Sequence, residues 1–388
     1  MNNRNISVFV ILIIFLFAGC EESVNKSSGN LIELSKKNSK KLIINDFFEF
    51  KEFVFLETIS ESLVITINKV YVRNNKIVIL DVSNKSVLIF NRDGSFSNLI
   101  NKVGRGPGEY LHASDMIVNA DGTIEVLDEI SLKIIKYNIK GHYISETNLG
   151  FRARSFIRDN NNNYIFYTGH SNVESSKCIT NPSIVIMNSE FEIINCFLEF
   201  DSNWLGVTYN YSNVNSWFFE KEDTVIFIPA LPHLFTTFKI ADATFEIDHR
   251  IEVPDQANIE YFFSNLNFAG RIADEISRSE YPLGLNYYFE YNEYLFFEIY
   301  GEEGMQYIYN KTSKESYARK KESDATFGYF RAYPLNGDLK NVVFDIVSPL
   351  TFMRSKYEIF KGTEHKLKED DNPVLVFYNF VPKTSLKD

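Results

Sequence analysis

A repeat with a period of 47 residues constrains the fold of this chain more than any other feature. The recurring residues are an acid that ends one apolar run, an amide that ends the next, and a glycine shortly after it. In two successive units they are Asp81 and Asp128, Asn91 and Asn138, and Gly94 and Gly141. Each unit predicts strands joined by tight hairpin turns, because glycine can take the positive φ that such turns need. A fixed offset of this size indicates an array of similar β-sheets.

Weaker copies of the unit follow along the chain. Further strands are predicted at residues 164–167, 183–188, 224–228, 234–240, 244–253, 294–298, 307–312, 341–347 and 357–360. The composition includes 35 Phe and 22 Tyr, which are residues that favour strands. Six units over about 340 residues correspond to the size of β-propeller blades.

The two ends of the chain predict how such a ring closes. Residues 49–56 and 374–380 both predict strands. Their pairing within one blade would hide two exposed sheet edges. We therefore predict an all-β fold over residues 42–388, a six-bladed β-propeller of four-stranded antiparallel blades closed by pairing of the N- and C-terminal strands. Apolar residues at helical spacing predict a helical insertion over residues 257–279, between blades four and five.

The N-terminal residues predict export and a lipid anchor. Residues 1–19 have the pattern of a signal peptide, in which Arg4 precedes an apolar run too short to span a bilayer. Residues 16–20 resemble a bacterial lipobox, which implies cleavage before Cys20 and its diacylation. A plain secretory signal that happens to end in a cysteine is the alternative.

The segment after the anchor is polar and predicts a flexible tether over residues 20–41. Glu21 and Glu22 resemble the surface-export signal of Bacteroidetes lipoproteins, and a merely solvated tether is the alternative. We expect a lipid-anchored protein of the cell envelope, at the outer membrane, facing the periplasm or the outside. The net charge of −11 without a basic run argues against a nucleic-acid partner.

The sequence Gly-Arg-Gly-Pro-Gly-Glu-Tyr at residues 104–110 looks at first like a phosphate loop. It lacks the Lys-Ser/Thr pair that such a loop needs, and the residues after it predict strands rather than a helix. Two interpretations remain open. In one, the loop is a tight crossing between the first and second blades. In the other, it is a ligand loop at one end of the central channel that brings together Arg105, Glu109, Tyr110, His112 and Asp115.

Together with residues 55–58 and 372–376, loop 104–110 resembles the six-bladed β-propeller lipoproteins of Bacteroidetes. These are similar in fold to the TolB-like and NHL-type propellers. The resemblance spans nearly the whole mature chain. It implies a fold and an envelope location, but not an activity.

Other candidate sites have competing structural explanations. The equivalent acids Asp81 and Asp128 would suit Ca²⁺ if they lined a channel, but capping of turns explains them as well. Trp204 and Tyr209 lie in a predicted loop between blades three and four, where they could stack on a sugar. The six histidines show no metal-ligand spacing and no nucleophile elbow is present, so we predict no catalytic residues and no metal.

Apart from Cys20, the chain contains Cys178 and Cys196. Export permits a disulfide between them. A hairpin that turns near residues 188–190 would place Cys196 opposite about position 182, however, so the expected register argues against a bridge.

These features predict a non-catalytic envelope lipoprotein that binds a glycan, a peptide or a protein partner. Two alternatives stay open. One is a propeller-type hydrolase or lyase with a metal or acid–base site at the channel, and the other is a structural scaffold in an envelope complex.

Overall fold

The computed structural model describes residues 29–34, 38–200, 202, 217–229, 235–253, 284–300, 305–320, 330–354 and 367–382. In these residues the strands form six sheets, each with four antiparallel strands, arranged as the blades of a ring. The predicted six-bladed β-propeller is confirmed. The predicted helical insertion over 257–279, the predicted strand over 357–360, Trp204 and Tyr209 lie outside the described residues.

Along the chain, each of the first three blades is built from its inner strand outward. Blade 1 contains Lys69–Arg73, Lys76–Asp81, Ser86–Asn91 and Phe96–Ile100. Blade 2 contains Ala113–Val118, Ile124–Asp128, Lys133–Tyr137 and Tyr143–Asn148. Blade 3 contains Ser155–Arg158, Tyr164–Tyr167, Pro182–Met187 and Ile193–Glu199. The second and third strands of these blades are almost entirely buried, because each sheet packs between two others.

Blades 4 to 6 repeat this order. Blade 4 contains Phe218–Lys221, Thr224–Phe227, Thr236–Ala241 and Thr244–Glu252. Blade 5 contains Gly284–Tyr291, Tyr294–Tyr300, Met305–Asn310 and Ser316–Lys320. Blade 6 contains Tyr333–Pro334, Val342–Val347, Val374–Phe380 and, from the start of the chain, Phe48–Phe55. The α-helix Pro349–Arg354 follows the second strand of blade 6. No helix in the described part of the chain is long and apolar enough to cross a membrane.

The ring is closed by an antiparallel pair within blade 6. Phe55 lies opposite Val374 and Phe48 lies opposite Phe380. The outermost strand of the last blade therefore comes from the N-terminal part of the chain. Phe48–Phe55 pairs with Val374–Phe380, so each strand covers a sheet edge that the other would otherwise expose.

The N-terminal segment before blade 6 runs along the outside of the two preceding blades. Asn30–Glu33 pairs in parallel with the outer strand of blade 4, and Lys40–Lys41 pairs in parallel with the outer strand of blade 5. A 3-10 turn at Ile44–Asp46 then leads into Phe48–Phe55. Both short strands fall within residues 20–41, where the sequence predicts only a tether. We call Asn30–Glu33 and Lys40–Lys41 together the N-terminal strap.

Cys178 and Cys196 form a disulfide, with their Cα atoms 5.0 Å apart. The expectation drawn from the strand register is therefore wrong. Cys196 lies opposite Val185, while Cys178 belongs to no strand and ends a turn that begins at Ser175 in the connection before Pro182–Met187. The strand register of a hairpin therefore does not determine which strand residue a cysteine in such a connection can reach.

Replacing Cys178 by serine is expected to lower the free energy of unfolding by about 3 kcal/mol, because the bridge closes a loop of intermediate length. The two cysteines are 18 residues apart in the chain. Urea denaturation monitored by tryptophan fluorescence would measure the change. A reducing agent should shift the wild-type midpoint to that of the variant and leave the variant unchanged. An unchanged wild-type midpoint would contradict the prediction.

Candidate functional site: the central channel

The inner strands of neighbouring blades lie side by side around the central channel. Because the strands alternate in direction, the blade-to-blade connections and the turns after the second strands lie at one end of the channel. The hairpins between first and second strands lie at the other end. We call these the connection mouth, which includes residues 111–112, 129–131 and 152–154, and the hairpin mouth, which includes residues 74–75, 119–122, 159–163 and 222–223.

Asp81 and Asp128 have the same role at the connection mouth. Asp81 accepts hydrogen bonds from the main-chain N–H of Ile65 at 2.6 Å and of Asn84 at 2.9 Å. Asp128 likewise accepts from Leu111 at 2.7 Å and from Ile130 at 3.0 Å. Each carboxylate thus joins the incoming connection to the turn after the second strand. These bonds account for the repeated acid as a turn cap.

Loop 104–110 crosses from blade 1 to blade 2 and is held by its own acid. Glu109 Oε2 accepts a hydrogen bond from Gly106 N at 2.8 Å, and a Cβ atom at Gly104 would lie 1.9 Å from the same oxygen. Gly108 N donates to Glu146 in the outer strand of blade 2, at 3.0 Å. The loop is therefore fixed to the outer strand of blade 2 at Gly108, and it fits the structural interpretation of a crossing.

The predicted ligand residues of this region are not all in one place. Arg105 is exposed on the crossing, and Tyr110 is buried with its hydroxyl donating to Lys85 O at 2.9 Å. Burial raises the pKa of Tyr110 to about 12, so its hydroxyl keeps its proton. Only His112 and Asp115 lie beside the channel. Ligand binding by this set of residues stays a prediction.

At the connection mouth His112 belongs to a charged cluster around Glu129. Arg152 Nη2 lies 3.2 Å from Glu129 Oε2, and Arg154 Nη1 lies 3.1 Å from the same oxygen. His112 Nδ1 lies 3.2 Å from Oε1, outside hydrogen-bonding geometry. Burial alone would raise the pKa of Glu129, but the contact with His112 and the two guanidinium charges outweigh it and lower that pKa. The cluster ties blade 2 to blade 3 through an ionised carboxylate.

Asp115 is buried deeper in the channel and joins three inner strands. Its Oδ1 lies 2.8 Å from Lys69 Nζ of blade 1, and its Oδ2 accepts hydrogen bonds from Ser155 Oγ and from Phe156 N of blade 3. The acid is thus fully paired, and its neighbours leave it little contact with solvent. This arrangement suits alignment of the blades better than capture of a ligand.

A cavity of about 320 Å³ opens at the hairpin mouth between the first four blades. Its wall mixes an aromatic ring, apolar groups, amides and charges, and includes Tyr71, Ile117, Asn119, Arg158, Glu220 and Thr224. A few converging polar groups in a concave site are typical of ligand pockets, and this volume is near their lower limit.

Both arginines of the cavity are engaged elsewhere. Arg73 Nε lies 3.2 Å from Asp338 Oδ1, and its Nη1 donates to Val118 O at 2.6 Å. Arg158 Nη1 lies 3.2 Å from the buried Glu125, and its guanidinium lies over the ring of Tyr164. These pairs leave neither arginine as the direct counter-ion of an acid that faces the cavity.

Glu220 is the acid that faces the cavity from the inner strand of blade 4. Among the described residues none forms a hydrogen bond or ion pair with its carboxylate, although its side chain is exposed to the cavity. Enclosure by the surrounding blades raises the pKa of Glu220, and the more distant charges of Arg73 and Lys69 offset this only in part. An accessible carboxylate with a raised pKa marks a candidate site. The sequence does not single it out, since Glu220 reads as an ordinary acid at a strand end.

A second polar cluster lies between blades 4 and 5. One potential metal-ligand atom from each of Asp248, His249 and Glu290 lies within 4.8 Å of the others. However, Lys221 Nζ lies 2.7 Å from Glu290 Oε1, and Lys311 contacts the same oxygen. Two ammonium groups already balance the two acids, so the cluster is an ion-pair network as it stands.

Solved structures share this architecture. A protein described as exported, from Bacteroides fragilis NCTC 9343, has a TM-score of 0.72 and 18% identity, and the match covers 91% of this chain and 100% of that one. A member of the duf4221 family from Bacteroides vulgatus has a TM-score of 0.52 and 9% identity, covering 86% and 97%. At these identities the likeness is one of fold.

Comparison with curated proteins gives no match. A family described as "Domain of unknown function (DUF4934)" matches residues 30–379. The matched region begins at the first residue of the N-terminal strap and ends within Val374–Phe380, the third strand of blade 6. The chain therefore belongs to the DUF4934 family.

Proposed function

We propose that this chain is an envelope lipoprotein, anchored through Cys20, whose propeller binds a small glycan in the hairpin-mouth cavity without transforming it. The cavity with the accessible carboxylate of Glu220 carries the proposal. The carboxylate, amide and hydroxyl groups of its wall suit a ligand rich in hydroxyl groups. A volume of about 320 Å³ suits one or two sugar rings.

The envelope location and the grouping with the Bacteroidetes propeller lipoproteins are also part of the proposal. The signal-like residues 1–19, the lipobox-like segment and the fold shared with an exported protein of Bacteroides fragilis support export and anchoring. The chain then groups with the Bacteroidetes propeller lipoproteins that its motifs resemble, and with the TolB-like and NHL-type propellers in shape.

Saturation-transfer NMR with glucose, N-acetylglucosamine and cellobiose, on the full chain in detergent, tests the binding function. We expect at least one of these sugars to bind, and Glu220→Gln to weaken that binding about tenfold, since one charge-assisted hydrogen bond is lost. Glu246→Gln is the matched control, because Glu246 lies on the outer strand of the same blade, far from the channel. Equal loss in both variants, or no binding of any sugar, would contradict the proposal.

A second candidate function is acid–base catalysis in the same cavity. The raised pKa of Glu220 favours it, because a general acid must hold a proton near neutral pH. In that case Glu220→Gln would retain binding of a glycoside but abolish its cleavage, which chromatography of the products would detect.

A further inference from the structure

We propose that the ligand of the hairpin-mouth cavity carries a primary ammonium group, which pairs with Glu220. This inference rests on the proposed binding function and names the chemical class of its ligand: an amine of about the size of an amino sugar.

The charges around the cavity favour a cation. Four acids and two bases contribute to its wall: Asp159, Glu220, Glu222 and Asp223 against Arg73 and Arg158. Both arginines are already paired with acids outside this set, Asp338 and Glu125. The cavity therefore has a surplus of negative charge that its own bases do not neutralise, and a narrow site with low-dielectric walls concentrates such a field.

Two of the four acids are used within the hairpins. Asp159 accepts hydrogen bonds from the main-chain N–H of Asn161 and Asn163, at 2.9 Å and 2.8 Å. Asp223 accepts from the amide of Asn160 at 2.8 Å. Neither Glu220 nor Glu222 has such a partner among the described residues, but Glu222 lies in the exposed hairpin turn whereas Glu220 lies in the inner strand, where an incoming donor would meet it in the cavity.

The missing counter-charge of Glu220 explains why a charged donor is preferred to a hydroxyl. Its carboxylate faces the cavity without an ion pair among the described residues, because its nearest bases are held on other partners, Arg73 by Asp338 and Lys69 by Asp115. A hydroxyl would supply one neutral hydrogen bond. An ammonium group would supply both the bond and the missing counter-charge.

Titration calorimetry of the full chain in detergent at neutral pH, with glucosamine, glucose and N-acetylglucosamine, tests the inference. We expect glucosamine to bind at least tenfold more tightly than the two neutral sugars. Glu220→Gln should weaken the binding of glucosamine at least tenfold more than the binding of glucose and so remove this preference, and Glu246→Gln should retain the preference.

The outcomes separate the two proposals. If glucose binds as tightly as glucosamine, the cationic class is wrong and the binding function stands. If none of the three sugars binds, the binding function fails together with this inference. Circular dichroism of Glu220→Gln would show whether the variant is folded. As a second measurement, the titrations of the wild type would be repeated in about 0.5 M NaCl. Salt at this concentration should weaken the preference for glucosamine if the preference arises from charge.

Discussion

Replacing Gly94 by alanine is expected to lower the free energy of unfolding by about 4 kcal/mol, one of the two largest effects we predict. Gly94 is buried in a hairpin turn of blade 1 and has a φ of +90°. A Cβ atom there would lie 2.1 Å from Phe55 O, at the end of the strand that closes blade 6. Glu57 N also donates to Gly94 O at 2.9 Å. The substitution therefore forces apart blades 6 and 1, and chemical denaturation would measure the cost.

Gly150→Ala is the matched control for Gly94. Gly150 also has a positive φ, +75°, but it is exposed and a Cβ atom there would meet nothing within 4 Å. Its substitution should cost only the backbone strain of about 1 kcal/mol. If both variants lose the same stability, the contact with Phe55 is not what requires glycine at position 94.

Replacing Asn372 by alanine should cost about 3–4 kcal/mol, because three backbone groups around a buried amide lose their partner together. The Asn372 amide nitrogen donates to Glu57 O at 2.9 Å and to Ser62 O at 2.8 Å. Its amide oxygen accepts from Val64 N at 2.9 Å. The Asn372 side chain thus joins the connection into blade 1 to the residues just before Val374–Phe380.

The matched control for Asn372 is Asn148→Ala. Asn148 makes one exposed hydrogen bond, to Gly150 N at 2.8 Å, and its loss should cost less than about 1 kcal/mol. Denaturation midpoints of the two variants would be compared at equal m-values. A loss at position 372 no larger than that at position 148 would show that water replaces the three bonds.

These contacts also explain which parts of the fold could be predicted from the sequence. The repeated glycine meets the preceding blade each time, since a Cβ atom at Gly141 would lie 3.2 Å from Ile100 of blade 1. The repeated acid ties each connection to a turn. Such requirements fix the residue type at a fixed spacing, so the 47-residue period predicted the blades and their number.

Features that depend on distant backbone could not be predicted in this way. Asn30–Glu33 of the strap pairs through its main chain with the outer edge of blade 4, so this pairing does not require an alternating pattern of apolar and polar side chains. Cys178 reaches Cys196 from a connection rather than a strand. Glu220 owes its raised pKa to enclosure by the neighbouring blades, which outweighs the charges of Arg73 and Lys69 on blade 1. In each case the deciding neighbour lies far away in the chain and leaves no local pattern.

The closure of blade 6 has a consequence for the order in which the protein is made. Val64 and its partner Asn372 are 308 residues apart in the chain. While synthesis proceeds from the N-terminus, Phe48–Phe55 must wait beside an incomplete ring until Val374–Phe380 has been made. The ring therefore cannot close while the chain is still being made, and its open sheet edges need protection from other chains until then.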